Sequence, residues 1–97
     1  MPARTGTQFL RGLRDRRELW LGDQRVTDPL DHPALRGGAE AIAETFDIHH
    51  RFPDDCLFPD PETGEPIAIS HIIPRSQADL KRRHKGLRRI AEFSVGL

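Results

Sequence analysis

The chain has 97 residues, fifteen Lys/Arg against fifteen Asp/Glu, 36% hydrophobic and 31% charged content and one cysteine, which bounds it at one small domain with a lean core. No apolar run approaches the ~20 residues of a membrane helix, and "MPARTGTQF" lacks the continuous apolar stretch of a secretory signal. The lone Cys56 excludes an internal disulfide framework and makes a reducing cytoplasm the expected setting.

The balanced charge is unevenly distributed. Residues 1–17 carry five Arg against Asp15, residues 18–74 three Arg against twelve Asp/Glu, and residues 75–97 seven Lys/Arg against Asp79 and Glu92. Two basic ends can therefore pair with the acidic middle or with acidic surfaces elsewhere.

Taken in chain order, "TGTQFLRGLRDRRELW" predicts a short basic amphipathic helix over about 6–16. Thr5 or Thr7 is its N-cap, Phe9, Leu10 and Leu13 form its apolar side, and Gly12 weakens it. Leu19-Trp20-Leu21 and Arg25-Val26 flank Gly22-Asp23 and predict a β-hairpin over about 18–27. "DHPALRGGAEAIAETFDIHH" predicts a helix over about 33–48, capped by Asp31 with Pro33 in its first turn. Its stripe is Leu35, Ala39, Ile42, Ala43 and Phe46, and Gly37-Gly38 is the expected point of close approach by a neighbouring backbone.

Prolines 53, 59, 61 and 66 exclude helix through the next segment. Pro61-Glu62-Thr63-Gly64 reads as a β-turn, and Ile67–Ile73 as the strongest strand, so 57–73 is a turn and strand region. The last helix spans about 77–95, opened by a capping-box-like Ser76 and Asp79. Leu80, Leu87, Ile90, Ala91 and Ser94 form its expected buried stripe, and nothing beyond Gly96 closes the pattern.

No spacing declares a catalytic site. His49 and His50 lie beside Asp47, Asp54, Asp55 and Cys56, but adjacent helical side chains diverge by about 100° and no zinc spacing occurs, so no metal ligands are assigned. Acidic neighbours suppress the Cys56 thiolate, which makes it a packing residue rather than a nucleophile. His71, inside the predicted strand, is read as a hydrogen-bonded packing residue. The Lys and Arg of 77–93 are spread around their helix, which disfavours a phosphate-tracking, nucleic-acid-binding face.

The ordered segments nevertheless resemble the N-terminal region of the 4-hydroxyphenylacetate 3-hydroxylase family, the large components of flavin-dependent monooxygenases. The resemblance runs from Arg4 to Leu97. It rests on Arg4-Thr5-Gly6, the Trp20 hairpin, Asp31-His32-Pro33, Thr63-Gly64-Glu65-Pro66, and Pro74-Arg75-Ser76 followed by Asp79-Leu80. Thr63, Gly64, Glu65, Pro66, Pro74, Arg75, Ser76 and Asp79 are read as structural positions of this pattern. Phe46 stands where Tyr is common, and Ile90 where an aromatic is common.

The resemblance implies a mainly α fold with small β-hairpin elements: part of the helical N-terminal domain of an acyl-CoA-dehydrogenase-like flavoenzyme, without its FAD-binding barrel and C-terminal bundle. The complete enzymes take reduced FAD from a separate flavin reductase and hydroxylate a phenol ortho to its hydroxyl with dioxygen. A related branch dehydrates 4-hydroxybutyryl-CoA. The family continues past the segment matching "SVGL" into a Met-Gly-Arg-x-Pro-Asp-Tyr motif that handles the phenol. No catalytic, cofactor-binding or metal residue is therefore assigned to 1–97. The expectation is an N-terminal fragment that binds no FAD and is inactive alone, whose partners are the rest of the hydroxylase, on the same or a separate chain, and a homo-oligomeric copy. The alternative is a free-standing or split-gene interaction module.

Overall fold

A computed structural model describes residues 2–95. Helix α1 (Gly6–Gly12) leads to a hairpin of β1 (Leu19–Leu21) and β2 (Gln24–Val26), then to α2 (Arg36–Arg51) and the single turn α3 (Pro53–Cys56). A second pair, β3 (Leu57–Pro59) and β4 (Pro66–Ala68), runs into a 3-10 turn (Ile69–His71) before α4 (Gln77–Ser94). About half of the chain is helical, and both strand pairs are antiparallel.

Helix α1 is fixed at its start by a reciprocal capping box. The Gln8 amide N–H donates to Thr5 Oγ1 at 3.2 Å and the Thr5 N–H to Gln8 Oε1 at 2.8 Å, so Thr5 rather than Thr7 is the cap. It ends at Gly12, four residues short of the expected boundary. Asp15 accepts from the Arg17 N–H at 3.0 Å and from its Nε at 2.7 Å, a local turn that competes with helical hydrogen bonding. In the first hairpin Leu19 pairs with Val26, Trp20 with Arg25 and Leu21 with Gln24, and Gly22 takes φ +63 at the turn.

Helix α2 starts at Arg36, not at Pro33, and Asp31 does not cap it. His32 intervenes: its Nδ1 accepts from the Ala34 N–H, and its carbonyl from the Leu35 and Arg36 N–H groups. Those donors are spent on a turn before the helix begins. Pro53 opens α3 as its first residue, where its missing N–H costs nothing, so the proline-rich segment does hold a helical turn. The strand expected over 67–73 stops at Ala68. Its partner β3 offers only Leu57–Pro59, with Leu57 opposite Ala68, and beyond that register the chain turns into the 3-10 segment. His71 therefore sits in that turn, exposed, instead of packing in a strand.

The buried apolar set is small: Val26, Ala43, Ile48, Cys56 and Ile69, with Gly6 and Gly86 buried against them. The expected stripes are only partly covered. Ile42 is 50% exposed on α2, while Ile48, outside the predicted stripe, is buried. On α4, Leu80 and Leu87 are 53% and 48% exposed and Ala91 is exposed too; Gly86 is the residue that faces the rest of the chain. Val95 closes α4 in a left-handed conformation, its N–H bonded to the Ala91 carbonyl, whereas Gly96 lies outside the described residues.

Gly37 and Gly38 meet nothing within 4 Å of an added Cβ. The close approaches are at Gly6, 2.6 Å from the Ala43 carbonyl, and at Gly86, 2.8 Å from the Asp55 carbonyl. The molecule measures 50 × 31 × 21 Å with a radius of gyration of 16.0 Å, against about 12.5 Å for a compact domain of this length. Its accessible surface is 7399 Å², against about 5,600 Å² for a compact 11.0 kDa protein. The fold is open, and among the described residues many large apolar side chains stay exposed.

Candidate functional site

Three junctions bring the sequence-marked residues together. At the first, α1 docks on α2. The Gly6 N–H donates to Asp47 Oδ1 at 2.7 Å, and a side chain at Gly6 would collide with that carboxylate and the Ala43 carbonyl. Phe9 stacks on Phe46 with ring centroids 4.9 Å apart, and the Arg4 guanidinium lies 5.3 Å from the Phe46 centroid. The Arg4 carbonyl meets His50 Nε2 at 3.1 Å. Arg4 and Gly6 thus each contribute a contact that closes this junction, while Thr5 caps α1 through Gln8.

At the second, the β3–β4 turn and the start of α4 are built from the family-pattern positions. Gly64 takes φ +75, its N–H donates to the Asp60 carbonyl at 2.8 Å, and the Glu65 N–H donates to Thr63 Oγ1 at 3.3 Å. Pro66 pairs with Pro59, and its carbonyl accepts from the Ala3 N–H at 2.8 Å, tying the N-terminal segment to the hairpin. Ser76 Oγ accepts from the Asp79 N–H at 3.1 Å. The Asp79 carboxylate reaches back to the Arg75 N–H at 3.0 Å, one residue before the partner a capping box would use. Pro74 precedes this cap, half-buried.

At the third, α3 packs on α4. Cys56 is fully buried with Sγ 3.9 Å from the Gly86 carbonyl. Burial pushes its thiol up and the Asp55 charge adds to this, both of which disfavour the thiolate. Arg89 Nε donates to Asp55 Oδ2 at 2.9 Å while its guanidinium covers the Phe52 ring at 4.2 Å. The Asp55 hydrogen bond raises the Arg89 pKa further.

The histidines do not converge. His49 Nδ1 meets the Thr45 carbonyl at 2.7 Å, a different partner from that of His50. Among the described residues no group of three or more His, Cys, Asp or Glu is placed to hold a metal ion, and no helix is long and apolar enough to cross a membrane. Arg4, Phe46, His49, Ile67, Ala68 and His71 line an open groove of about 230 Å³. A wider one of about 670 Å³ lies between Leu13 and Pro29. Its Arg14 and Arg17 are already paired with Asp28 and Asp15 at 3.1 and 2.7 Å. The Arg14 hydrogen bond, with the Leu30 N–H, holds Asp28 below the usual carboxylate range, and the Arg17 N–H does the same for Asp15. A flavin pyrophosphate seeks unpaired cations or a helix N-terminus, so this groove is a poor fit to FAD.

The arrangement defines a helical scaffold with small hairpins and an uncovered apolar surface. The family pattern described as "4-hydroxyphenylacetate 3-hydroxylase N terminal" matches residues 5–97, and the chain belongs to that family. It is 32% identical over 98 residues to the 4-hydroxyphenylacetate 3-monooxygenase oxygenase component of Thermus thermophilus, covering 98% of this chain and 20% of that one. It is 43% identical over 99 residues to the FADH(2)-dependent monooxygenase TftD of Burkholderia cepacia, covering 96% and 19%. The crystal structure of a 4-hydroxyphenylacetate 3-monooxygenase oxygenase component (HpaB) complexed with FAD superposes with a TM-score of 0.84 at 31% identity, over 93% of this chain and 19% of that one. The chain spans about a fifth of the length of these relatives.

Proposed function

We propose that this chain is the N-terminal part of the oxygenase component of a two-component, FADH2-dependent phenol monooxygenase. The observation that supports this best is its likeness, at 31% identity and a TM-score of 0.84, to the first region of an oxygenase component crystallised with FAD. In the complete enzyme, dioxygen supplies the oxygen atom that enters ortho to the phenolic hydroxyl, and reduced FAD supplies the electrons that take the other oxygen to water. This chain's residues do no step of that chemistry. Arg4, Gly6 and Asp47 hold α1 against α2 and Thr5 caps α1, while Thr63–Pro66 and Pro74–Asp79 set the angle at which α4 leaves the hairpin, all of them structural roles. The wider fold is that of an acyl-CoA-dehydrogenase-like flavoenzyme, whose barrel and C-terminal bundle bind FAD and correspond to no part of 1–97. A separate reductase delivers the reduced flavin, in the cytoplasm, and the enzyme assembles from several copies.

The test is direct. The 97-residue chain mixed with FADH2, oxygen and 4-hydroxyphenylacetate is expected to give no catechol; robust turnover by the chain alone overturns the reading. A second reading, a split-gene module that binds a separately encoded remainder, is favoured by the exposure of Leu80 and Leu87. Adding the matching remainder of a relative in trans distinguishes it, because only a split module restores turnover without covalent linkage. Nucleic-acid binding is disfavoured because Arg88 and Arg89 of α4 are paired with Glu92 and Asp55.

A further inference from the structure

Helix α4 carries two different faces. Gly86 points into the chain, packed on Ile69 and the Asp55 carbonyl. About a third of a turn away, Leu80, His84, Leu87, Ala91 and Ser94 recur at alternating steps of four and three residues, the spacing of a coiled-coil seam. All but the half-buried Ser94 are exposed, Leu80 and Leu87 by about half of their surface. Lys81 and Arg88, the latter already paired with Glu92 at 3.0 Å, border the seam on one side, Arg83 and Ile90 on the other. Over α4 as a whole six Lys/Arg face two acidic residues.

The geometry points to a docking surface: the Leu80–Ser94 seam of α4 receives one amphipathic helix with acidic flanks, from the four-fifths of the oxygenase component outside this chain's match. The inference rests on the proposed function for the source of that helix, and on the structure for its chemistry. A second copy of α4 fits poorly, because pairing two seams brings Lys81 and Arg83 against their own kind.

The seam is tested with the full chain and two labelled helical peptides of identical Leu/Ile seam, one flanked by Glu and the other by Lys. The Glu peptide is expected to bind at least about tenfold more tightly, with an affinity that falls as salt rises. The paired substitution Leu80→Glu/Leu87→Glu is expected to weaken it at least tenfold. Arg82→Glu, which adds the same kind of charge on the opposite side of α4, leaves a difference of less than threefold. Equal affinity for both peptides, or binding retained by the Leu80/Leu87 pair, overturns the proposal; so does a dimer of the chain alone that this pair abolishes. The same variants, in the Thermus thermophilus oxygenase component carrying this chain in place of its matching fifth, give a second readout. The seam pair should lower the yield of assembled, FAD-binding enzyme at least tenfold and Arg82→Glu should not; an unchanged yield for the seam pair overturns the proposal. The peptide measurement involves neither flavin nor phenol, so its failure is distinct from a failure of the hydroxylase reading.

Discussion

Gly86 lies so close to Ile69 that a β-carbon there would overlap the isoleucine side chain and stand 2.8 Å from the Asp55 carbonyl. This contact sets the spacing of α3 and α4, with Cys56 sealed beneath it. Gly86→Ala is expected to destabilise the fold by about 2 kcal/mol, the strain of overpacking outweighing the ~1 kcal/mol gained in helix propensity. Gly38→Ala on α2, with nothing within 4 Å, is expected to stabilise by about 0.5 kcal/mol. Urea unfolding of the two variants checks the pair, and equal effects would contradict this packing.

Asp47 is the acceptor that holds α1 in place through the Gly6 N–H. Asp47→Ala leaves that donor without a partner in a crowded junction and is expected to cost about 1–2 kcal/mol. Amide exchange at Gly6, Thr7 and Gln8 reports the loss locally: faster exchange confined to α1 is expected, and unchanged protection would contradict the assignment.

Cys56 is buried, and its thiol is raised above its ordinary 9.0. A group that holds its proton more tightly when folded stabilises the fold fully below its unfolded pKa and loses that contribution as pH rises through the folded one. Stability should therefore fall above about pH 9, and this alkaline loss should be absent in Cys56→Ala. Thiol labelling at neutral pH should be at least about tenfold slower in the native chain than in urea.

Asp15 and Asp28 have the opposite sign. Both are held below 3.8 by partners in the folded chain, so their contribution is present above that value and lost as pH falls through the folded pKa. The melting temperature should decline as pH falls below about 4. Asp28→Asn should flatten that decline, with far-ultraviolet dichroism at stepped pH as the measure.

Local chemistry was readable in the sequence where the deciding groups are neighbours. Thr5, one of the two caps the sequence offered, Gly22 in its hairpin, Gly64 in its turn and Ser76 with Asp79 all sit within a few residues of their partners. What the sequence concealed is non-local. Gly37 and Gly38 attract attention in a helix, yet the glycines under contact are Gly6 and Gly86, whose neighbours lie tens of residues away. Periodicity identified the apolar side of α4 but not what covers it, and among the described residues Leu80 and Leu87 stay about half exposed. His32 displaced Asp31 as the organiser of the turn before α2, because its ring and carbonyl both reach the next donors. The site followed the same division: the family pattern was legible as ordered segments, whereas the seam required knowing which side Gly86 turns inward.

The central claim is that this chain serves as the N-terminal part of a phenol-hydroxylating oxygenase component. The most direct measurement replaces the matching fifth of the Thermus thermophilus enzyme with this chain and follows conversion of 4-hydroxyphenylacetate to its catechol with reduced FAD supplied. Turnover within about tenfold of the parent is the predicted result, a loss of no more than about 1.4 kcal/mol in transition-state stabilisation. A graft that assembles and binds FAD but makes no catechol would contradict the account.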